Sequence, residues 1–283
     1  MSRGNAPMRR RNTEELRAIQ RGTVSFFRPY AQFTFGFLAA VGKRAYFFRE
    51  MIRALREPAT YGPEILKHMR SIGVDSVPLA CTVAAFIGSV IALQTRYQLF
   101  PGIQLSVVGF IARQMITLEM APLITALVLT GRVGARITAE IGTMRVTEQI
   151  DALETLAFDP IAYLIVPRVI AALFMLPILS VLANAVGLAA AWVTATIATD
   201  VTSGQFRDGL RLGFTYFQVV YSLLKAFLFG GAIAFLCSYE GYTADAGAEG
   251  VGRATASAVV IGCVAILLLD ALTATLLARY LTP

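Results

Sequence analysis

Four ionisable residues stand inside long apolar runs, and any chemistry within a membrane would have to start from them. Glu119 occupies the sequence Leu118-Glu119-Met120-Ala121-Pro122, in the middle of an apolar stretch from about Leu105 to Thr130, with Arg113 six residues earlier. Lys225 and Asp270 fall in two further apolar runs, at depths that let them meet. A charge in hydrocarbon is costly enough to mark either a function or a partner. For Lys225 and Asp270 the reading is a structural ion pair between helices. Three readings stand for Glu119: a pairing within the chain, a protonated glutamate hydrogen-bonded to a neighbouring helix, or a part in handling a substrate.

Other chemistries find little to build on. His68 is the only histidine, and Cys81, Cys237 and Cys263 lie in apolar stretches at no metal-ligand spacing, so they read as buried small hydrophobes. The run from Gly36 to Arg44 fails as a phosphate-binding loop: the spacing is wrong, Arg44 follows Lys43 where Ser or Thr is needed, and no strand precedes it. The chain is therefore read as no enzyme, with no cofactor of its own and no nucleotide site. Any ATP work belongs to another chain.

A second polar feature is an island. Residues 131–160, GRVGARITAEIGTMRVTEQIDALETLAFDP, hold Arg132, Arg136, Glu140, Arg145, Glu148, Asp151, Glu154 and Asp159 between long apolar runs. Ile137, Ile141 and Met144, then Ile150, Leu153 and Leu156, recur every three or four positions, which predicts one or two short amphipathic helices stopped by Asp159-Pro160. The alternating charge signs suit a partner's docking surface better than an anionic bilayer, where Lys and Arg dominate.

The elements that must position these residues are membrane spans. Hydrophobic residues make up 56% of 283 and charged ones 15%, with mean hydropathy +0.64, which excludes a water-soluble domain. Residues 1–75 carry 14 Lys/Arg against 6 Asp/Glu, and the rest 11 against 12. The excess, which in a soluble protein would suggest nucleic acid, thus belongs to one flank and places the N-terminus in the cytoplasm; no removed signal peptide is expected. Residues 1–22 read as a basic arm, and 24–55, where Phe and Tyr alternate with arginines, as amphipathic helices lying at the bilayer surface. The expected organisation is a region 1–75 of arm and interfacial helices, then a domain 76–283. That domain is all-α, with five transmembrane helices at about 77–95, 105–130, 161–199, 217–239 and 255–280. The third is longer than one span needs and contains Pro167 and Pro177, so a split near Asn184 to Gly187 competes with one long helix; alternation of the polar segments favours one.

The runs AEIGTMRVTEQIDAL (139–153) and FDPIAYLIVPRVIA (158–171) are similar to the signature of the MlaE/YrbE permease family, the membrane subunits of ABC transporters that move lipids with MCE-domain proteins. The resemblance runs from about Tyr61 to the end. It implies that the island is a cytoplasmic coupling helix between spans two and three, seated in a separate ATPase subunit through Glu140, Gly142, Thr143, Met144, Arg145, Glu148 and Gln149. It further implies a homodimer in the bacterial inner membrane, an ATPase partner that binds ATP and Mg, and an MCE-domain protein outside. A lipid pocket between protomers is expected from Ile91, Gln94, Tyr97, Leu99 and Glu119. Where the family has Arg-Glu-Leu-Gly-Pro, this chain keeps the glutamate and proline but not the arginine and glycine. The competing class is an autonomous secondary transporter or channel with Glu119 as its proton- or ion-coupling site; five spans do not divide into the inverted halves common there.

Overall fold

The computed structural model describes residues 38–55 and 58–277, with side chains from 62 onward in the second stretch. The basic arm and the aromatic stretch up to residue 37 lie outside the described residues. Residues 38–54 form helix α1. Phe47, Met51 and Ala54 recur at helical spacing and are buried, whereas Leu38, Val41, Tyr46, Phe48 and Ile52 are exposed; an uncovered apolar and aromatic face is the character expected of a helix lying at a bilayer surface.

The described residues from 51 onward form the larger compact unit. Helix α2 (Pro58–Ile72) passes through a short 3-10 turn, Val74–Ser76, into α3 (Val77–Gln98), which Pro78 starts in its first turn, where no backbone donor is needed. The turn at Pro101-Gly102, with Gly102 at φ +98, leads to the second span. This is α4 (Ser106–Met115), a wide π turn (Ile116–Met120), α5 (Ala121–Leu129), a second wide turn (Thr130–Gly134) and α6 (Ala135–Val146). The whole is one rod of 41 residues, roughly 60 Å long at 1.5 Å per residue and about twice the hydrocarbon thickness. The end of the span expected near Thr130 is therefore not the end of the helix, which runs on into the polar island. Helix continues because Ile137, Thr138 and Ile141 stay buried, with Thr138 Oγ1 donating to the Cys237 carbonyl at 2.9 Å; only the outward face becomes charged.

At Thr147 and Glu148 the rod ends, Glu148 taking a left-handed φ of 58°, and the short α7 (Gln149–Thr155) follows. Asp159 and Pro160 then act as expected: the Asp159 carboxylate accepts the Ile161 N–H at 2.9 Å, opening a third wide turn, Ile161–Ile165, and α8 (Val166–Ala198). The single long helix is the observed form. Gly187 makes no turn; it is where α3 and α8 cross, so close that a Cβ on Gly88 would lie 2.0 Å from the Gly187 carbonyl oxygen. The polar segment after Asp200 contains a helix the sequence reading left out, α9 (Ser203–Arg211), opened by a capping box in which Thr202 and Gln205 bond each other's backbone N–H. Helices α10 (Tyr216–Tyr242) and α11 (Ala248–Leu277) complete the described residues.

Among the described residues five helices are long and apolar enough to cross a membrane. α8 packs on α3, α10 and α2, and α10 also packs on α6 and α11. Apolar burial drives little of this inside lipid, so close approach through small residues must hold the helices together. At Gly230 on α10, an added Cβ would sit 2.5 Å from the Ala172 carbonyl oxygen of α8. α11 is the outermost, presenting Val260, Leu267, Leu268 and Leu276, as suits a lipid-facing helix.

Candidate functional sites: a charge triad and a charged helical end

The wide turn at Ile116–Met120 and Pro122 together prepare an acceptor site. Proline lacks the N–H that would close a bond to the Leu118 carbonyl four residues back, and the wide turn carries Glu119 beside it. Lys225, on α10 and fully buried, answers both. Its Nζ lies 3.3 Å from the Leu118 carbonyl and 2.6 Å from Glu119 Oε2, with Asp270 Oδ1 of α11 at 2.6 Å and the Tyr221 ring centroid at 5.0 Å. The Lys225–Asp270 pair is as expected from the sequence, and Glu119 takes the first of its three readings, a pairing within the chain. Three spans are thus pinned at one point by one cation between two carboxylates. Glu119 is the open member, its side chain 38% exposed against 17% for Asp270.

Arg113 does not join this triad. Buried in the last turn of α4, on a different side of the span, it bonds Gln218 and donates to the Leu212 carbonyl at 2.8 Å between the Phe110 and Phe214 rings, which ties the link between α9 and α10 to span two.

The residues proposed for a lipid pocket divide by face of α3. Ile91 is buried in a core that includes Ala84, Val108, Ala112, Ile116 and Ala183, and Leu99 packs against that core. Gln94 and Tyr97 are exposed and continue a stripe with Phe86 and Val90.

The charged end is built from α6 and α7. Thr143, Glu148 and Gln149 are exposed, and Glu140, Met144 and Arg145 half-buried. Gly142 is turned inward, where a Cβ would meet Val251 at 3.2 Å, so it sets the packing of α6 against α11. Arg145 reaches over the corner to Asp151 at 2.7 Å and lies on the Tyr242 ring, fixing the angle between α6 and α7. Beside this corner Met144, Gln149, Leu153, Leu156, Tyr163 and Leu164 line an apolar groove of about 230 Å³. Glu140 faces another way, bonded by Arg136 at 2.7 Å and reached by Arg168 of α8 at 3.5 Å. Arg168 was missed in the sequence because it stands in an apolar run; its place directly after Pro167, within the FDP run, was the available signal.

Five spans, three of them pinned by an internal charge triad and one extended past the membrane into a charged helical corner, define a polytopic membrane protein of the transporter-subunit class. The family described as Permease MlaE matches residues 65–276. A probable ABC transporter permease protein of Rickettsia bellii is 37% identical over 81% of this chain and 88% of its own length, and one from Synechocystis is 39% identical over 71% and 76%. The intermembrane phospholipid transport system permease protein MlaE of Haemophilus influenzae is 31% identical over 83% of this chain and 94% of its own. The chain belongs to the MlaE permease family.

Proposed function

We propose that this chain is the permease subunit of an ABC transporter that moves phospholipid. It works as a homodimer in the bacterial inner membrane, N-terminus in the cytoplasm, with a separate ATPase that holds ATP and Mg on the α6–α7 side and an MCE-domain protein on the other. The observation that carries this reading is the unbroken rod from Ser106 to Val146. It makes Glu119, within the membrane, and the exposed Thr143, at the charged corner, parts of one stiff element, so a partner closing on α6–α7 moves the span that carries Glu119. Thr143, Met144, Arg145, Glu148 and Gln149 form the contact with the ATPase, and the groove beside α7 receives an apolar side chain from it. The exposed stripe of Gln94 and Tyr97, with the open side of Glu119, faces the lipid path between two protomers, and Ile91 and Leu99 form the wall behind. Acyl chains suit such a surface because they require area rather than hydrogen bonds.

The test is reconstitution. Purified chain should retain an ABC ATPase in a pull-down, and phospholipid transfer between membranes should require ATP. Transfer by the chain alone under a proton gradient would overturn the reading and mark an autonomous secondary transporter instead.

A further inference from the structure

A cavity of about 290 Å³ lies at the charged end, between α2, α6 and the start of α8. Its polar lining is Glu64, Lys67, His68 and Ser71 from α2, Arg136 and Glu140 from α6, Tyr163 from the wide turn before α8, and Arg168 from α8. Three fixed cations, Lys67, Arg136 and Arg168, thus face two carboxylates. Both carboxylates are already engaged: Glu64 with Lys67 at 3.2 Å, and Glu140 with Arg136 at 2.7 Å and, more distantly, Arg168 at 3.5 Å. Arg168 is the cation left short. Its side chain is only 4% exposed, its Nη1 donates to the Leu164 carbonyl, and its Nε has no hydrogen-bond partner. A guanidinium buried to this degree should have its donors satisfied, and a cavity of net positive charge beside it has room for the missing acceptor.

The depth narrows the choice of acceptor. The apolar run of α3 starts at Val77, and Arg132 bonds the Asp75 carbonyl at 2.5 Å just outside it. Residues 64–71 lie beyond that level by about 6–16 Å along the helix, which overlaps the headgroup layer that adds roughly 5–8 Å to each side of the hydrocarbon. Leu66, between Glu64 and Lys67, is 73% exposed, an uncovered apolar side chain beside the cavity mouth.

We propose that this cavity binds a phosphate group, with Arg168 at its floor and Lys67 and Arg136 at its rim. The phosphate belongs either to a phospholipid headgroup of the adjoining leaflet or to a soluble phosphate. Occupation would bridge α2, α6 and α8 and so bear on the angle at which the rod leaves the membrane. The binding itself does not depend on transport or on an ATPase, so its failure and that of the permease reading can be told apart.

The experiment uses the full chain in uncharged detergent and reads thermal unfolding together with lipid retention by native mass spectrometry. The probes are phosphatidylglycerol, phosphate-free dioleoylglycerol and inorganic phosphate. Phosphatidylglycerol is expected to raise the unfolding temperature and dioleoylglycerol to leave it unchanged. Lys67→Gln, at a side chain 74% exposed and so without consequence for folding, and Arg136→Gln are each expected to weaken binding about tenfold, the loss of one charge-assisted contact. Arg253→Gln, at a 66% exposed side chain outside the cavity, should change nothing. The same pattern with inorganic phosphate, and none with the lipid, would assign the site to a soluble phosphate. Absence of binding by either probe would overturn the site, as would equal sensitivity to Lys67→Gln, Arg136→Gln and Arg253→Gln.

Discussion

Lys225 donates to the one carbonyl, that of Leu118, which Pro122 deprives of its backbone donor, and does so at 3.3 Å from a different span. A proline in a membrane helix is tolerated where a neighbour satisfies the freed oxygen; here the neighbour is a lysine that two carboxylates keep in place. The triad is accordingly a clamp as well as a charge cluster. Replacing Lys225 by Met removes the donor and leaves Glu119 and Asp270 facing each other. The expected cost is about 3–5 kcal/mol, the range for breaking a buried pair, read as loss of folded protein on unfolding in graded denaturant.

Glu119 behaves differently on its two sides. Glu119→Gln keeps a hydrogen-bond acceptor toward Lys225, and with a side chain 38% exposed the lost charge is partly screened, so the expected cost stays below about 1 kcal/mol. Glu119→Lys sets two ammonium groups together and should reduce the yield of folded protein as well as transport. Adding Lys225→Glu to it should restore part of the yield; no restoration would mean that the pairing at 2.6 Å is not what the lysine substitution damages.

At the charged corner, Glu148→Lys and Glu140→Lys are expected to part company. Glu148 is exposed at the bend, so its replacement should leave folding intact while weakening ATPase pull-down at least tenfold. Glu140 holds Arg136 and approaches Arg168, and a third cation there should lower stability before any partner is added. Equal thermal stability of the two variants would contradict the assignment of Glu140 to internal packing.

The tie between Arg96 and Asp200, at 2.5 and 2.7 Å, fastens the end of α3 to the segment before α9. The paired hydrogen bond from Arg96 holds the Asp200 carboxyl below its ordinary range. A depressed carboxylate contributes stability that is complete above its unfolded value, about 3.9, and lost as pH falls through the lower folded one. The tie should therefore persist at neutral pH and weaken only below about pH 4. Trp192, the only tryptophan, bonds Ser203 at 3.1 Å and reports on this segment. Its emission should shift in that acid window in the wild type and not in Asp200→Asn.

Glycine contacts supply a further prediction. Gly88→Ala would drive a Cβ against the Gly187 backbone and should cost about 1–3 kcal/mol. Gly252→Ala meets nothing within 4 Å and should be neutral or stabilising by up to about 1 kcal/mol. Unfolding of the two variants side by side measures the difference.

Much of this was legible because hydrocarbon is a severe filter. Five long apolar runs, one unbroken third span and the Lys225–Asp270 pair all follow from what cannot be left unpaired in lipid. Other features were not legible. Glu119 joins the pair only because the wide turn at Ile116–Met120 re-aims it, and no periodicity signals such a turn beforehand. The charged residues after Gly131 read as the end of a span, yet charge on one face says nothing about the other, where Ile137 and Ile141 remain buried. α9 was passed over because its nine residues are held by a cap and by contact with α4, and composition alone gives neither.

The wide turns also determine where the second span can change length. A π turn holds one residue more than the α-helical turn it replaces, so the rod contains surplus residues at two places, 116–120 and 130–134. Removing Gly131, where a side chain would meet nothing within 4 Å, would close the second turn to regular helix and leave Ile137 against α10 and Glu140 toward Arg168. Removing Ala139, only eight positions later, has no such reserve to draw on. It would rotate everything after it by about 100°, swinging the corner at Glu148 to another side of the molecule. Single-residue deletions should therefore be tolerated in the first of these places and abolish partner binding in the second.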